Sequence, residues 1–183
     1  MHTKTIRTSQ YAAWLMFVLT ALFYFYDFLL RSIPSVLRDQ IATEFQLTAA
    51  NSGFLEAAFY YTYTPMQLLA GPLIDEYGCS RILPFAVACC LIGSLLSALH
   101  FGFALLLFAR LLIGLGSAFA FITVLKTIND WLPIYYYAPL VGTTTTLGML
   151  GGVIAQEYLP EVAALGDNLM YTISAIICLL FIV

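Results

Sequence analysis

Long apolar stretches alternate along this chain with short polar breaks, and the spacing of the breaks predicts its elements. The stretches lie at residues 11–35, 50–74, 82–99, 103–126, 137–158 and 168–183. A helix needs about 20 mainly apolar residues to cross the hydrocarbon core of a bilayer. The breaks are the polar "RDQIATEFQLTAANSG", which contains a helix start, the charged "DEYGCSR", the tight "HFG", "NDWLPIYYYAP" with two prolines, and the acidic "PEVAALGDN". Charge, glycine and proline at these places are helix-ending signals. Backbone groups in lipid must hydrogen-bond within their own segment, so the stretches read as helices rather than strands. The expected fold is an all-α membrane protein, a six-transmembrane-helix bundle. The last stretch is short: from Asn168 to Val183 it rises about 24 Å, against a core of roughly 30 Å, and reads as a truncated span.

Composition supports the bilayer as solvent. Hydrophobic residues make up 62% of the 183 and charged residues 9%, with a mean hydropathy of +0.92. Soluble domains carry about a quarter charged residues, so this chain cannot cover a water-facing surface. The net charge of −3 and seven scattered basic residues exclude a nucleic-acid partner, which requires clustered Lys and Arg. Cys89, Cys90 and Cys178 sit in apolar runs and Cys79 in a break, with no CxxC or Cys/His spacing; they read as small buried residues, not as a disulfide framework or a metal site. The start of the chain has the basic flank of a signal peptide. Its apolar part is too long, however, and lacks a small-residue cleavage site before Asp27, so it reads as a retained first span. No cofactor and no metal are expected.

Basic residues near span ends set the orientation. With the N-terminus in the cytoplasm, the inner side holds Lys4, Arg7, Arg81 and Lys126, and the outer side only Arg38, with Glu157, Glu161 and Asp167 in the last outer loop. Residues 1–10 are then a cytoplasmic tail, and 11–183 a six-span domain in the plasma (inner) membrane. Trp14, Trp131 and Tyr135 to Tyr137 would form an aromatic belt at the inner interface. Lys126 and Asp130, four apart, read as a surface pair.

Three ionisable residues fall at membrane depth, where lipid exposure costs at least ~2.5–3.5 kcal/mol: Asp27, Glu56 and Arg110. Helical rise puts each about 10 Å below the outer surface. Asp27 and Arg31 are four apart and share a helix face. On the fourth span Leu107, Arg110, Gly114, Ser117 and Phe121 lie near one stripe. Gly114 and Gly116 there, and Gly148, Gly151 and Gly152 in "LGMLGG" on the fifth, are positions for close helix packing. Pro65 is a candidate kink in the second span. Tyr24, Tyr60 and Tyr61 are read first as packing residues.

The break "GPLIDEYGCSRIL" resembles the signature G-x-L-a-D-r-x-G-r-k-x-x-l of the major facilitator superfamily, with Gly71, Leu73, Asp75, Gly78 and Leu83 in place. "RLLIGLGSA", from Arg110, is similar to that family's fourth-span pattern, and "LGMLGG" to its glycine-rich fifth-span stretch. The resemblance covers essentially the whole chain as an N-terminal six-helix half. It implies a secondary transporter working by alternating access, with a second six-helix half as partner, in the same chain, a companion chain or a self-dimer. It further implies that Gly71, Asp75, Gly78 and Arg81 act as a conformational switch at the inner ends of the two halves. Glu76, Cys79 and Ser80 stand where the signature prefers basic residues, so the latch is differently wired. The Gly-Pro pair of many antiporters is absent from the fifth-span stretch, so antiport is not inferred from it, and a symporter or uniporter is expected.

In that fold the first and fourth spans line the cavity, so the resemblance implies that Asp27, Arg31 and Arg110 face the pathway with Glu56 nearby. One reading has Arg110 bind an anionic part of a small polar solute while Asp27 or Glu56 neutralises it, or carries a coupling proton or ion. A second reading has Asp27 and Arg110 as a structural pair locking two helices, and a third has Arg31 reaching the interface. The arginines favour an anionic or zwitterionic solute. The rivals to transport are a transport-inactive remnant, a membrane scaffold or assembly factor, and an intramembrane enzyme; the chain holds no H-E-x-x-H and no Ser/His pair within plausible spans, so an enzyme is not expected.

Overall fold

A computed structural model of the chain describes residues 10–99, 101–163 and 167–182. Within them run α1 (Gln10–Val36), α2 (Arg38–Glu44), α3 (Ala49–Tyr77), α4 (Cys79–Ala98), α5 (Phe103–Trp131), α6 (Tyr137–Ala163) and α7 (Asp167–Ile182), with one 3-10 turn at Ile134–Tyr136 and no strand among the described residues. The basic residues Lys4 and Arg7, which carried part of the orientation argument, lie outside the described residues, as does His100.

Four helices are long and apolar enough to cross a membrane: α1, α4, α5, and α6 with the turn before it. The two other expected spans fall short for different reasons. α3 has 29 residues, but Asn51, Glu56, Thr62, Gln67, Asp75 and Glu76 dilute its apolar character. α7 is apolar but has only 16 residues.

The breaks are tighter than the polar pattern implies. Gly78 alone separates α3 from α4: with φ of 82° it occupies a backbone region that side chains disfavour, and its N–H still bonds to Ile74 O at 2.9 Å. Asp75 and Glu76 therefore stand on the last turn of α3, and Arg81 on the first turn of α4, rather than in a loop. Thr48 caps α3 by accepting from Asn51 N at 3.3 Å. α6 runs through Pro160, so Glu157 and Glu161, expected in a loop, are helical.

α5 is the centre of the bundle. It packs along α3 and α4 and touches α1, while α6 packs along α1 and α7 along α4. Glycines let the axes approach. A Cβ on Gly114 would overlap the Phe59 carbonyl of α3, and one on Gly116 the Ala86 carbonyl of α4. At the α1–α6 contact, Cβ atoms on Gly148 and Gly151 would lie 2.6 Å from the Tyr24 ring and 2.8 Å from Phe25 O. Gly152 has ordinary room, 3.6 Å from Phe28, and Gly71 faces open space. Gly93 of α4, absent from the expected packing positions, is as tight against Ile113 of α5.

The bundle's exterior is apolar. Leu15, Val18, Leu19 and Leu22 on α1, Leu68 and Leu69 on α3, and Met149, Leu150 and Val153 on α6 are all exposed. Patches of this extent suit hydrocarbon or another protein surface, not water. Inside, one group of polar side chains joins α1, α4 and α7. The Tyr26 hydroxyl of α1 meets Ser174 Oγ and donates to Ser174 O at 3.0 Å on α7. Cys178 Sγ donates to Tyr26 Oη at 3.2 Å, and Ser94 of α4 lies 3.1 Å from Ser174 Oγ.

Candidate functional site

The charged residues at membrane depth converge near one end of the bundle because α1 runs towards that end while α3 and α5 start from it. Arg31 stands near the C-terminus of α1, Glu56 two turns into α3 and Arg110 two turns into α5. Arg31, Glu56 and Arg110 line one cleft of about 190 Å³, together with Ser32, Ser35 and Tyr60.

Asp27 is 2% exposed and pairs with Arg31, Oδ2 to Nη2 at 3.2 Å. The expected alternative of an Asp27–Arg110 lock is not what forms: the carboxylate takes the guanidinium one turn further along its own helix, at the i, i+4 spacing that brings side chains together. Its second oxygen, Oδ1, is buried without a hydrogen-bond partner, as is the Ser117 hydroxyl.

Arg110 is also 2% exposed, and its Nε and Nη1 make no hydrogen bond. Among the described residues no carboxylate forms an ion pair with it. What holds it is an aromatic face: its guanidinium carbon lies 5.2 Å from the centre of the Phe59 ring. The same ring is 5.2 Å from the Arg31 guanidinium carbon, which is also 4.7 Å from Phe28 and 5.0 Å from Tyr63. A guanidinium over a ring face gains roughly 0.5–2 kcal/mol, too little to replace hydrogen bonds for a buried charge. The pattern is a site with donors waiting.

Glu56 faces Arg38 of α2, Oε1 to Nε at 3.5 Å, and its side chain keeps 37% exposure. Tyr60 borders the cleft, whereas Tyr24 is buried against Phe28 and Phe121 and Tyr61 is 62% exposed. Phe59 and Tyr63 lie outside the sequence reading, which has Arg38 only as the basic residue of the outer side. The i, i+4 spacing of Phe59 and Tyr63 was the available signal for the stack, at 5.2 Å between ring centres.

At the opposite end Asp75 pairs with Lys126 of α5, Oδ1 to Nζ at 2.6 Å, and Lys126 also lies 3.7 Å from Asp130. Gly71, Ile74, Asp75, Ile122, Lys126 and Tyr137 border a second cleft, of about 240 Å³. Arg81 is exposed nearby on α4. Trp14 meets Tyr136 edge to face at this end, 5.7 Å between ring centres.

Helices apolar enough to span a bilayer, charges turned inward and an apolar exterior define a multi-pass membrane protein. Residues 13–183 match the profile of the Major Facilitator Superfamily, and the chain belongs to that family, one of transporters rather than enzymes. It is 32% identical over 129 residues to the hexuronate transporter of Bacillus subtilis (strain 168), covering 70% of this chain and 31% of that protein. It is 30% identical over 133 residues to the probable sulfoacetate transporter SauU of Cupriavidus necator, covering 73% and 31%. To the probable galactarate/D-glucarate transporter GarP of Escherichia coli (strain K12) it is 24% identical over 136 residues, covering 71% and 30%. The chain spans about a third of the length of these curated relatives.

Proposed function

We propose that the chain is the N-terminal six-helix half of a secondary transporter for a small organic anion, working with a second half by alternating access. The observation that carries this reading is Arg110: a buried guanidinium with unpartnered donors, in one cleft with Arg31. A carboxylate or sulfonate would satisfy those donors with charge-assisted bonds. The relatives' names point the same way, since hexuronate, sulfoacetate and glucarate are all anions. Asp27 balances Arg31 and Glu56 balances Arg38, which leaves Arg110 for the solute, and Asp27 is the candidate for a coupling proton. Their end of the bundle is the outer one, and the N-terminus is cytoplasmic in the plasma (inner) membrane. The Asp75–Lys126 end is then cytoplasmic, where Gly71, Asp75, Gly78 and Arg81 meet the second half; with basic residues missing from its signature, Lys126 supplies the cation beside Asp75.

Uptake of a labelled organic anion into proteoliposomes, with the second half supplied, tests the reading. Flux that Arg110→Gln abolishes supports it. Normal flux in Arg110→Gln removes the residue from the solute site, and no flux in any form favours a membrane scaffold.

A further inference from the structure

Charge and hydrogen-bond capacity around the outer cleft restrict the solute more narrowly than its sign does; this step rests on the cleft being the solute site. Arg31 is compensated by Asp27 at 3.2 Å and Glu56 by Arg38 at 3.5 Å. Arg110 is left as the one guanidinium lining the cleft with no ion-pair partner among the described residues. One uncompensated positive charge matches one negative charge.

Besides the donors of Arg31, whose Nε is buried without a partner, and of Tyr60, the lining holds three groups that can only accept. Ser32 Oγ already donates to Phe28 O at 2.9 Å, and Ser35 Oγ to Ser32 O at 2.7 Å. A hydroxyl has one proton to give, so both serines present only lone pairs to the cleft. Glu56, ionised, is acceptor-only as well. Glu56, Ser32 and Ser35 are therefore acceptors in the lining, and a second anionic group placed beside them would meet a carboxylate and two spent hydroxyls. Solute hydroxyls would find partners.

We propose that the cleft selects a polyhydroxylated organic monoanion, its single acidic group on Arg110 and its hydroxyls donated to Glu56, Ser32 and Ser35. Glu56 is the specificity-determining residue, excluding solutes with a second acidic group.

The test is calorimetric titration of the chain in lipid nanodiscs with four probes at equal ionic strength: D-glucuronate, D-glucarate, acetate and sulfoacetate. D-glucuronate is expected to bind about tenfold or more tightly than the other three, since juxtaposed like charges and unpaired polar groups carry that scale of penalty. Glu56→Gln is expected to bring D-glucarate to within a few-fold of D-glucuronate, and Glu56→Asp to keep the preference. D-glucarate or sulfoacetate equalling D-glucuronate on the unaltered chain overturns the proposal, as does a preference unchanged by Glu56→Gln. Binding without selectivity overturns this inference alone. No binding of any probe overturns it together with the solute-site reading.

Discussion

Arg110 lies against the face of Phe59, guanidinium carbon 5.2 Å from the ring centre, with Nε and Nη1 unbonded. The arrangement sets stability against function at one residue. A buried polar group without partners costs about 1–3 kcal/mol, and the ring returns only part of that. Arg110→Met keeps a long apolar stem beside Phe59 and removes the uncompensated charge. The expected outcome is thermal unfolding in nanodiscs at an unchanged or higher temperature, with a gain of up to about 2 kcal/mol, and complete loss of anion binding by calorimetry.

Asp27→Asn acts in the opposite sense. It leaves the partly buried Arg31 with no carboxylate at 3.2 Å, and removing one partner of a buried pair costs roughly 3–5 kcal/mol; with Arg31 21% exposed, about 3 kcal/mol is expected. The cleft then carries two uncompensated guanidiniums. Titration should show D-glucarate gaining affinity relative to D-glucuronate, while the melting temperature falls.

Glycines that both look small in the sequence differ sharply in the structure. Gly114→Ala drives a methyl into the Phe59 carbonyl and to 2.6 Å from Thr62 Oγ1, which is itself bonded to Leu111 O at 2.6 Å. Pushing α3 from α5 should cost about 1–3 kcal/mol. Because Glu56 and Phe59 ride on α3, anion affinity should fall as well. Gly152→Ala meets nothing closer than 3.6 Å and should be neutral or stabilising by up to ~1 kcal/mol. Paired thermal melts of the two variants check this.

Lys126 and Asp75 are 33% and 63% exposed, and exposed pairs contribute about 0–1 kcal/mol. Lys126→Ala should therefore shift unfolding by less than ~1 kcal/mol. If the pair times the closing of the inner end, the same variant changes flux several-fold in proteoliposomes while leaving anion affinity intact. Flux unchanged within error assigns the pair to the surface alone.

Local relationships were legible in the sequence, and non-local ones were not. Asp27 and Arg31 are one turn apart, so helical spacing alone places them together, and the ion pair is there at 3.2 Å. Lys126 was matched with Asp130 by the same rule, yet its shorter contact, 2.6 Å, is to Asp75 on another helix. Nothing in the spacing of residues 75 and 126 announces that meeting. Arg110 was visible as a charge in an oily stretch; that its support would be Phe59 rather than Asp27 depends on how α3 leans on α5 at Gly114. The joint of Tyr26 with Ser174 and Cys178 is likewise a matter of tertiary approach. Helix ends were read too early at Asp75 and Glu76 because charge was taken to end a helix, whereas the backbone turns only at Gly78.

Trp14 and Trp131 are the chain's two tryptophans; Trp14 touches Tyr136, and Trp131 closes α5 on the same side of the bundle. Both indoles thus stand at the end of the bundle opposite the cleft lined by Arg31, Glu56 and Arg110. The tryptophan emission of this chain, excited beyond the tyrosine band, consequently arises from that extremity: it would register movement where the helices gather there, and a solute seated among the arginines would alter it only by moving the helices.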